Sequence, residues 1–354
     1  MAPDPGTAAW SGGYGAGPAA RDHWHRGKRN RGDMADERGE LRIGWLGAGR
    51  MGSMLIRRLL AAGCDVSVYN RTKAKAVPLQ AHGAKIVDSV ADLAATDLVF
   101  VTVGTPRDLI EAMTGPGGLA AAERAPRVVV DSSTVSVDAS REVRQALAAR
   151  GTQLLAAPIM GNPRVAAAGK LTFAVSGPRQ AFDEAQPYLS LLGAGATYVG
   201  DGETARIVKL CHNLFLGVVA QSMAEVTVLA QRSGVSRQAF LACLNNSVMG
   251  SQFTRYKTPA LVNLDFTPTF TGELLRKDFD LGLAAAREQE VPMPVAGLVH
   301  QLVQSLVGHG HGGDDFAALL LLEAQSAGLE LESENAPVLD GLEPDSPTGT
   351  DDPH

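Results

Sequence analysis

Cysteine is scarce in this chain. Cys64, Cys211 and Cys243 are the three in 354 residues, far apart and odd in number. That spacing leaves neither a disulfide framework nor a zinc knuckle, implies no metal site, and fits a reducing cytoplasm. A long basic run is also missing, and the formal net charge is −6, so nucleic acid is a poor choice of partner. Residues 1–40 contain no apolar stretch that could serve as a signal peptide or membrane span. They are rich in Gly, Ala, Arg and Asp and read as a disordered extension, with Met34 a candidate start. Residues 332–354 are acidic, carry Pro and Gly, and read as a disordered, solvated tail. No internal repeat is present.

What remains is ample for a core: 45% of the chain is hydrophobic and 20% charged, and the length suggests about two domains. Leu41–Leu46, Asp65–Tyr69, Leu98–Val103 and Val128–Val130 are short apolar or β-branched runs, the signature of strands. Helical spacing fills the intervals at Arg50–Ala62, Lys73–His82 and Pro106–Met113. Strand and helix in alternation predict a parallel sheet covered on both faces, an α/β Rossmann-like domain over residues 41–201. The pattern then changes. Glu203–Ser233 carries no Pro and one Gly, predicting a single helix of about 45 Å. Arg237–Asn245, Gly272–Gln289, Val295–Gly308 and Asp314 to about Leu329 follow as further helices, giving an all-α domain over residues 202–331. The long apolar helix suits burial or a subunit interface.

The loop Gly47-Ala48-Gly49-Arg50-Met51-Gly52 joins the first strand to the first helix. Gly-x-Gly-x-x-Gly is weak alone, but this strand–turn–helix context is the one a dinucleotide site requires. Gly47 permits the tight turn, Gly49 lets backbone approach a pyrophosphate, and Gly52 lets helix and strand pack closely. The helix N-terminus supplies unpaired N–H groups and the positive dipole end. The second strand ends Asn70-Arg71-Thr72, without the Asp or Glu that holds the ribose hydroxyls of NAD. Asn70 and Thr72 can hydrogen-bond a phosphate, Arg71 can pair with it in a fork, and Lys73 and Lys75 add positive charge. These residues favour NADP(H) over NAD(H); the competing reading is a polar loop that accepts either.

Lys209 and Asn213 are four apart on the long helix and share a face. Their neighbours Ile207, Val208, Leu210, Leu214 and Leu216 are apolar. A lysine there either reaches solvent along its stem or is buried, with a lowered pKa that makes it a proton donor near neutral pH. Asn213 could then orient a substrate oxygen. His212 points to another side and reads as a structural polar contact.

Four stretches together resemble the β-hydroxyacid dehydrogenase family, which includes 3-hydroxyisobutyrate dehydrogenase and the glyoxylate/succinic semialdehyde reductases. They are Ile43–Gly52, Asp131-Ser132-Ser133-Thr134-Val135-Ser136, Lys209 through Asn213, and Leu275-Arg276-Lys277-Asp278-Phe279. The resemblance covers about Leu41 to Leu329. It implies a 6-phosphogluconate dehydrogenase-like fold, dimerisation through the long helix as a homodimer or within a homotetramer, and reversible hydride transfer between a β-hydroxyacid and its aldehyde or ketone. It implies that Lys209 protonates the carbonyl oxygen and Asn213 holds the substrate. Thr134 would flank the nicotinamide, with Ser133 beside the substrate, and Lys277 would help close the cleft. An exposed charged pair is the plainer reading of Lys277-Asp278.

Two stretches depart from the family. Its substrate loop usually reads Asp-Ala-Pro-Val-Ser-Gly-Gly, and here Ala156-Ala157-Pro158-Ile159-Met160-Gly161-Asn162 stands instead. Gly161 keeps its N–H, Met160 has no donor to offer and adds apolar bulk, and Asn162 can restore a donor. The expected substrate is a small hydroxyacid or semialdehyde, or a bulkier, less polar carbonyl compound. Val103-Gly104-Thr105-Pro106 replaces the usual Met-Leu-Pro and can still flank the cofactor through its backbone. Two other readings stand beside this one: the related imine reductases, which generally carry Asp or Tyr in place of the lysine, and a non-catalytic NADP-binding interaction protein, whose known kind replaces it. Lys209 argues against both.

Overall fold

A computed structural model describes residues 41–342. The readings of residues 1–40, of Met34 as a start and of residues 343–354 lie outside these described residues.

Buried, largely apolar strands come first. β1 (Ile43–Leu46), β4 (Leu98–Val101) and β5 (Val128–Asp131) are buried at every position, as strands covered on both faces must be. β2 (Val66–Tyr69), β3 (Lys85–Ile86) and β6 (Gln153–Ala156) complete a sheet of order β3-β2-β1-β4-β5-β6. Every neighbouring pair in it is parallel, Ile43 lying opposite both Val66 and Leu98. This doubly wound order reverses direction between β1 and β4, where such folds open a crevice at the strand C-termini. The helices covering it are α1 (Arg50–Ala61), the short α2 (Lys73–Ala76), α3 (Pro106–Thr114) and α4 (Val137–Ala148). Thr105 caps α3 and Ser136 caps α4, each accepting from a backbone N–H of the first turn; either cap contributes about 1 kcal/mol. The helix expected over Lys73–His82 holds for one turn and tightens to a 3₁₀ turn at Val77–His82, because Pro78 removes a backbone donor.

Beyond β6 lies a second, three-stranded sheet that the periodicity does not predict. β7 (Ile159–Met160) pairs antiparallel with β8 (Thr172–Val175), and β8 pairs parallel with β9 (Gly195–Tyr198). α5 (Pro163–Ala167) and α6 (Arg179–Leu192) join them.

The helical half begins with α7 (Thr204–Arg232), one residue inside each predicted end. α8 (Arg237–Asn246), α10 (Gly272–Glu288) and α11 (Pro294–Leu306) also match their predicted spans closely. α12 (Leu319–Ser326) is shorter, preceded by a 3₁₀ turn. α9 (Gln252–Asn263) was not predicted; it starts at a capping box between Ser251 and Thr254 and tolerates Pro259 in its body. α7 is long and apolar enough to cross a membrane by length and composition, but half of that apolar window is buried inside the protein, as in a core helix. Gly217 explains how closely α10 lies on it: a Cβ there would come within 2.3 Å of the Phe279 ring. Loop 264–271 is latched by Lys257, whose ammonium meets Asp315 and Thr269.

Residues 332–342 differ from the expected solvated tail. They run as an extended strap across both halves. Glu334 accepts from the backbone N–H groups of Arg237 and Gln238 at the start of α8. Asn263 and Ala336 exchange two hydrogen bonds. Asp340 pairs with Arg164, the carbonyl of Gly341 accepts from Lys170 and Gln252, and Leu342 packs on the sheet core. Short-range composition made this stretch look solvated; its partners lie far away in sequence.

Candidate active site

The glycine loop lies at the crevice between β1 and β4. Gly47 has φ +102°, and a Cβ there would stand 2.0 Å from the carbonyl oxygen of Thr102. A Cβ on Gly52 would stand 2.1 Å from the carbonyl oxygen of Gly47. Both positions therefore need glycine, one for conformation and both for closeness. A Cβ on Gly49 would meet nothing within 4 Å, and Gly49 and Arg50 are exposed. The loop is thus rigid underneath and open above, a cradle that fits a pyrophosphate at the N-terminus of α1. Ala48 is buried and Met51 half-buried. Trp45 braces the turn from below, its indole Nε1 donating to the Gly47 carbonyl at 3.0 Å.

At the end of β2 the three expected phosphate contacts divide. Asn70 is engaged by the protein: its Oδ1 accepts from Ala48 N at 2.7 Å and its Nδ2 donates to the Thr72 carbonyl. It braces the glycine loop, which differs from the expected phosphate contact. Arg71 is 80% exposed in its side chain and pairs with Asp108 at 2.7 Å. Asp108 is held below the usual carboxylate range by hydrogen bonds from Thr105 and Arg71 that outweigh its burial. Thr72 is exposed, and Lys73 reaches Asp88. Val103, Gly104 and Thr105 follow β4 on the same rim, and Val103 N donates to the Ser133 hydroxyl at 2.9 Å.

The end of β5 meets the start of α7 in a narrow cleft lined by Ser133, Thr134, Val135, Pro158, Arg206, Lys209 and Leu210. Lys209 is buried, at 8% exposure. Among the described residues its ammonium makes no hydrogen bond; burial pushes its pKa down to about 8, against the pull of Asp278 and with the help of Lys277. Asn213, one turn on, is fixed at both ends: its Oδ1 meets His212 Nδ1 at 2.9 Å and its Nδ2 donates to Asp278 Oδ2. His212 has the structural contact expected of it. Burial and the Lys209 charge push its pKa down, although the Asn213 bond opposes them. On α10, Lys277 is partly exposed with its ammonium 3.4 Å from Asp278 Oδ1, an oxygen that is itself buried without a hydrogen bond. Lys209, Asn213, Lys277 and Asp278 therefore form one cluster across α7 and α10. A cationic donor of lowered pKa beside fixed amide and carboxylate groups can exchange a proton with a carbonyl oxygen.

The substrate loop differs from expectation. Ile159 enters the sheet core, and Met160, on the opposite face of β7, packs with Val199 and Val208 against Ala156, Ala174 and Ala205. Its bulk is spent on the start of α7. Asn162 is buried and caps α5 by accepting from Val165 N at 3.0 Å, near the half-buried Tyr256 of α9. It is therefore a brace, and its amide is not the restored donor expected. Gly161 stays exposed at φ +144°. Arg206 was missed. It is 2% exposed and pairs with the fully buried Asp131 at 2.6 Å; its place one turn before Lys209 was the available signal.

Residues 42–200 match the family model described as the NAD binding domain of 6-phosphogluconate dehydrogenase. Residues 200–322 match the one described as NAD-binding of NADP-dependent 3-hydroxyisobutyrate dehydrogenase. The chain is 30% identical over 286 residues to glyoxylate/succinic semialdehyde reductase 2, chloroplastic, of Arabidopsis thaliana, covering 80% of each chain. It is 29% identical over 293 residues to 2-(hydroxymethyl)glutarate dehydrogenase of Eubacterium barkeri, covering 82% of this chain and 97% of that one. Among solved structures it is similar to Mycobacterium tuberculosis 3-hydroxyisobutyrate dehydrogenase with L-serine. That match has a TM-score of 0.71 and 27% identity, covering 80% of this chain and 98% of that one.

Proposed function

The chain belongs to the β-hydroxyacid dehydrogenase family of NAD(P)-dependent oxidoreductases acting on CH–OH groups, and from that premise we propose that it reduces a semialdehyde or related carbonyl compound reversibly with NADP(H). The observation that carries this reading is Lys209: a buried ammonium of lowered pKa in the cleft between the β5 end and α7.

The residues that would hold the dinucleotide are the loop Gly47–Gly52 at its pyrophosphate, Arg71 and Thr72 at the adenosine phosphate, Val103–Thr105 along the rim, and Thr134 beside the nicotinamide. When bound, the nicotinamide supplies the hydride for reduction and accepts it for oxidation. Lys209 donates its proton to the carbonyl oxygen during reduction and takes it back from the hydroxyl during oxidation. Asn213, oriented by His212 and Asp278, holds that oxygen in reach. Lys277 closes the cleft from α10, the exposed Gly161 N–H is left to meet the substrate's acidic end, and Ser133, whose hydroxyl accepts from Val103 N, keeps that hydroxyl's own proton to donate beside it. NADP over NAD is supported by Arg71 and by the missing acid at the end of β2. Asp108 already pairs with Arg71, so a 2′-phosphate must compete with a carboxylate for it. A homodimer through α7 is supported by its exposed apolar stripe, with Phe215 at 69% and Leu229 at 66% exposure. The three separate free cysteines suit a reducing compartment such as the cytoplasm.

The test is oxidation of NADPH, and of NADH beside it, with a panel running from glyoxylate and succinic semialdehyde to bulkier ketones. Lys209→Ala is expected to lose ~10²–10⁴-fold in turnover. Equal turnover by variant and wild type would remove Lys209 from the chemistry.

A further inference from the structure

Arg206 is a guanidinium buried at 2% exposure, and the proton transfer just described does not use it. Its Nη2 donates to Asp131 Oδ2 at 2.6 Å and its Nη1 to the Ser133 carbonyl at 3.0 Å. Asp131 Oδ1 in turn accepts from Ser133 N at 3.0 Å, and the Ser133 hydroxyl accepts from Val103 N. Ser133 is thus held at its amide, its carbonyl and its side chain, which leaves Thr134 at the cleft with a fixed direction. On its other side Arg206 Nε reaches Glu203, which pairs with Arg144 at 2.6 Å, and Arg144 donates to the carbonyls of Leu154 and Gly202. The result is an alternating chain of charges that bolts the first turn of α7 to the end of β5 and to Leu154 in β6.

Stability alone is a poor reason for such a pair, because a packed apolar pair of similar volume commonly does as well once desolvation is counted. What the fork adds is direction: a planar guanidinium holds a carboxylate and a backbone carbonyl in one fixed plane, whereas the three donors of an ammonium rotate freely on a flexible stem. Arg206 and Lys209 are three apart on one face of α7, and both line the same cleft. We propose that Arg206 is a positioning residue that sets the separation between the Ser133–Thr134 turn and Lys209, so that hydride and proton reach the same carbonyl group. The claim rests on the assignment of Lys209 as proton donor.

The test uses Arg206→Lys and the charge-free pair Arg206→Met/Asp131→Asn, which keeps an acceptor for Ser133 N. Amide hydrogen exchange over residues 131–135 without cofactor, NADPH affinity by fluorescence titration, and steady-state kinetics are measured on each. Both variants are expected to exchange faster over 131–135, to keep KM and the NADPH dissociation constant within about threefold, and to lose ~10–100-fold in kcat, the size of loss that a displacement of about 1 Å produces. Wild-type exchange and kcat in a folded variant would overturn the proposal. So would failure of both variants to fold, which makes Arg206 purely structural. Lys209→Ala measured alongside separates the two readings. Equal turnover by Lys209→Ala and wild type sinks the functional reading, and an inactive Lys209→Ala beside a fully active Arg206→Lys sinks the positioning claim alone.

Discussion

A lysine in an apolar wall is useful only in one protonation state at a time. The ordinary ammonium value is 10.5, and burial lowers Lys209 to about 8. Below that pH the group is charged in the folded protein and can donate. Above it the group is neutral and can accept. Turnover in the reductive direction is therefore expected to fall about tenfold per pH unit above about 8, and turnover in the oxidative direction to fall in the same way below it. Initial rates in both directions across that range check this; two flat profiles would detach Lys209 from the rate. At this scale much was legible in the sequence. Gly47, Gly49, Gly52, Lys209 and Asn213 sit at fixed short spacings, and short spacings survive folding. Asn70, Met160 and Asn162 read as facing cofactor or substrate, but the structure gives Asn70 and Asn162 backbone partners and packs Met160 against Ala156, Ala174 and Ala205. Arg206 could be placed near Lys209 by its spacing, but its partner Asp131 lies 75 residues away.

Elements were legible where one period ran long enough. α7 shows its pattern over 29 residues, and β1, β4 and β5 show theirs through four-residue runs, mostly apolar, buried at every position. β7, with two residues, is too short to carry a period, and Pro259 masked α9. The strap has no period to read, since it is held through side-chain and carbonyl contacts at intervals. Its energetic centre is Glu334, which caps α8 and lies beside the fully buried Arg237 guanidinium. Glu334→Ala is expected to cost about 2–4 kcal/mol, combining a lost cap with a weakened partner for a buried charge. Urea unfolding of the full chain measures it, and a change under about 0.5 kcal/mol would mean that the strap merely rests on the surface.

At the scale of the molecule, two halves of different architecture share one cleft, and an exposed apolar stripe lies along α7. Ile207, Phe215, Val226 and Leu229 are all exposed on that helix, and Phe215, Val226 and Leu229 recur at spacings of eleven and three, which keeps them on one face. If α7 forms the proposed symmetric interface, wild type is expected to sediment as a dimer or tetramer and the double variant Phe215→Glu/Leu229→Glu as a monomer, since like charges would face each other across it. Unchanged sedimentation would move the interface elsewhere. The hydrogen bond from Trp45 to the carbonyl of Gly47 has an optical consequence. Trp45 is the single tryptophan among the described residues, the others being Trp10 and Trp24. With those two replaced by phenylalanine, the remaining indole is a chromophore wired to the dinucleotide loop, and its emission overlaps the absorption of a reduced nicotinamide. Occupancy could then be followed by light alone, in an otherwise unaltered protein and in variants too impaired to turn over.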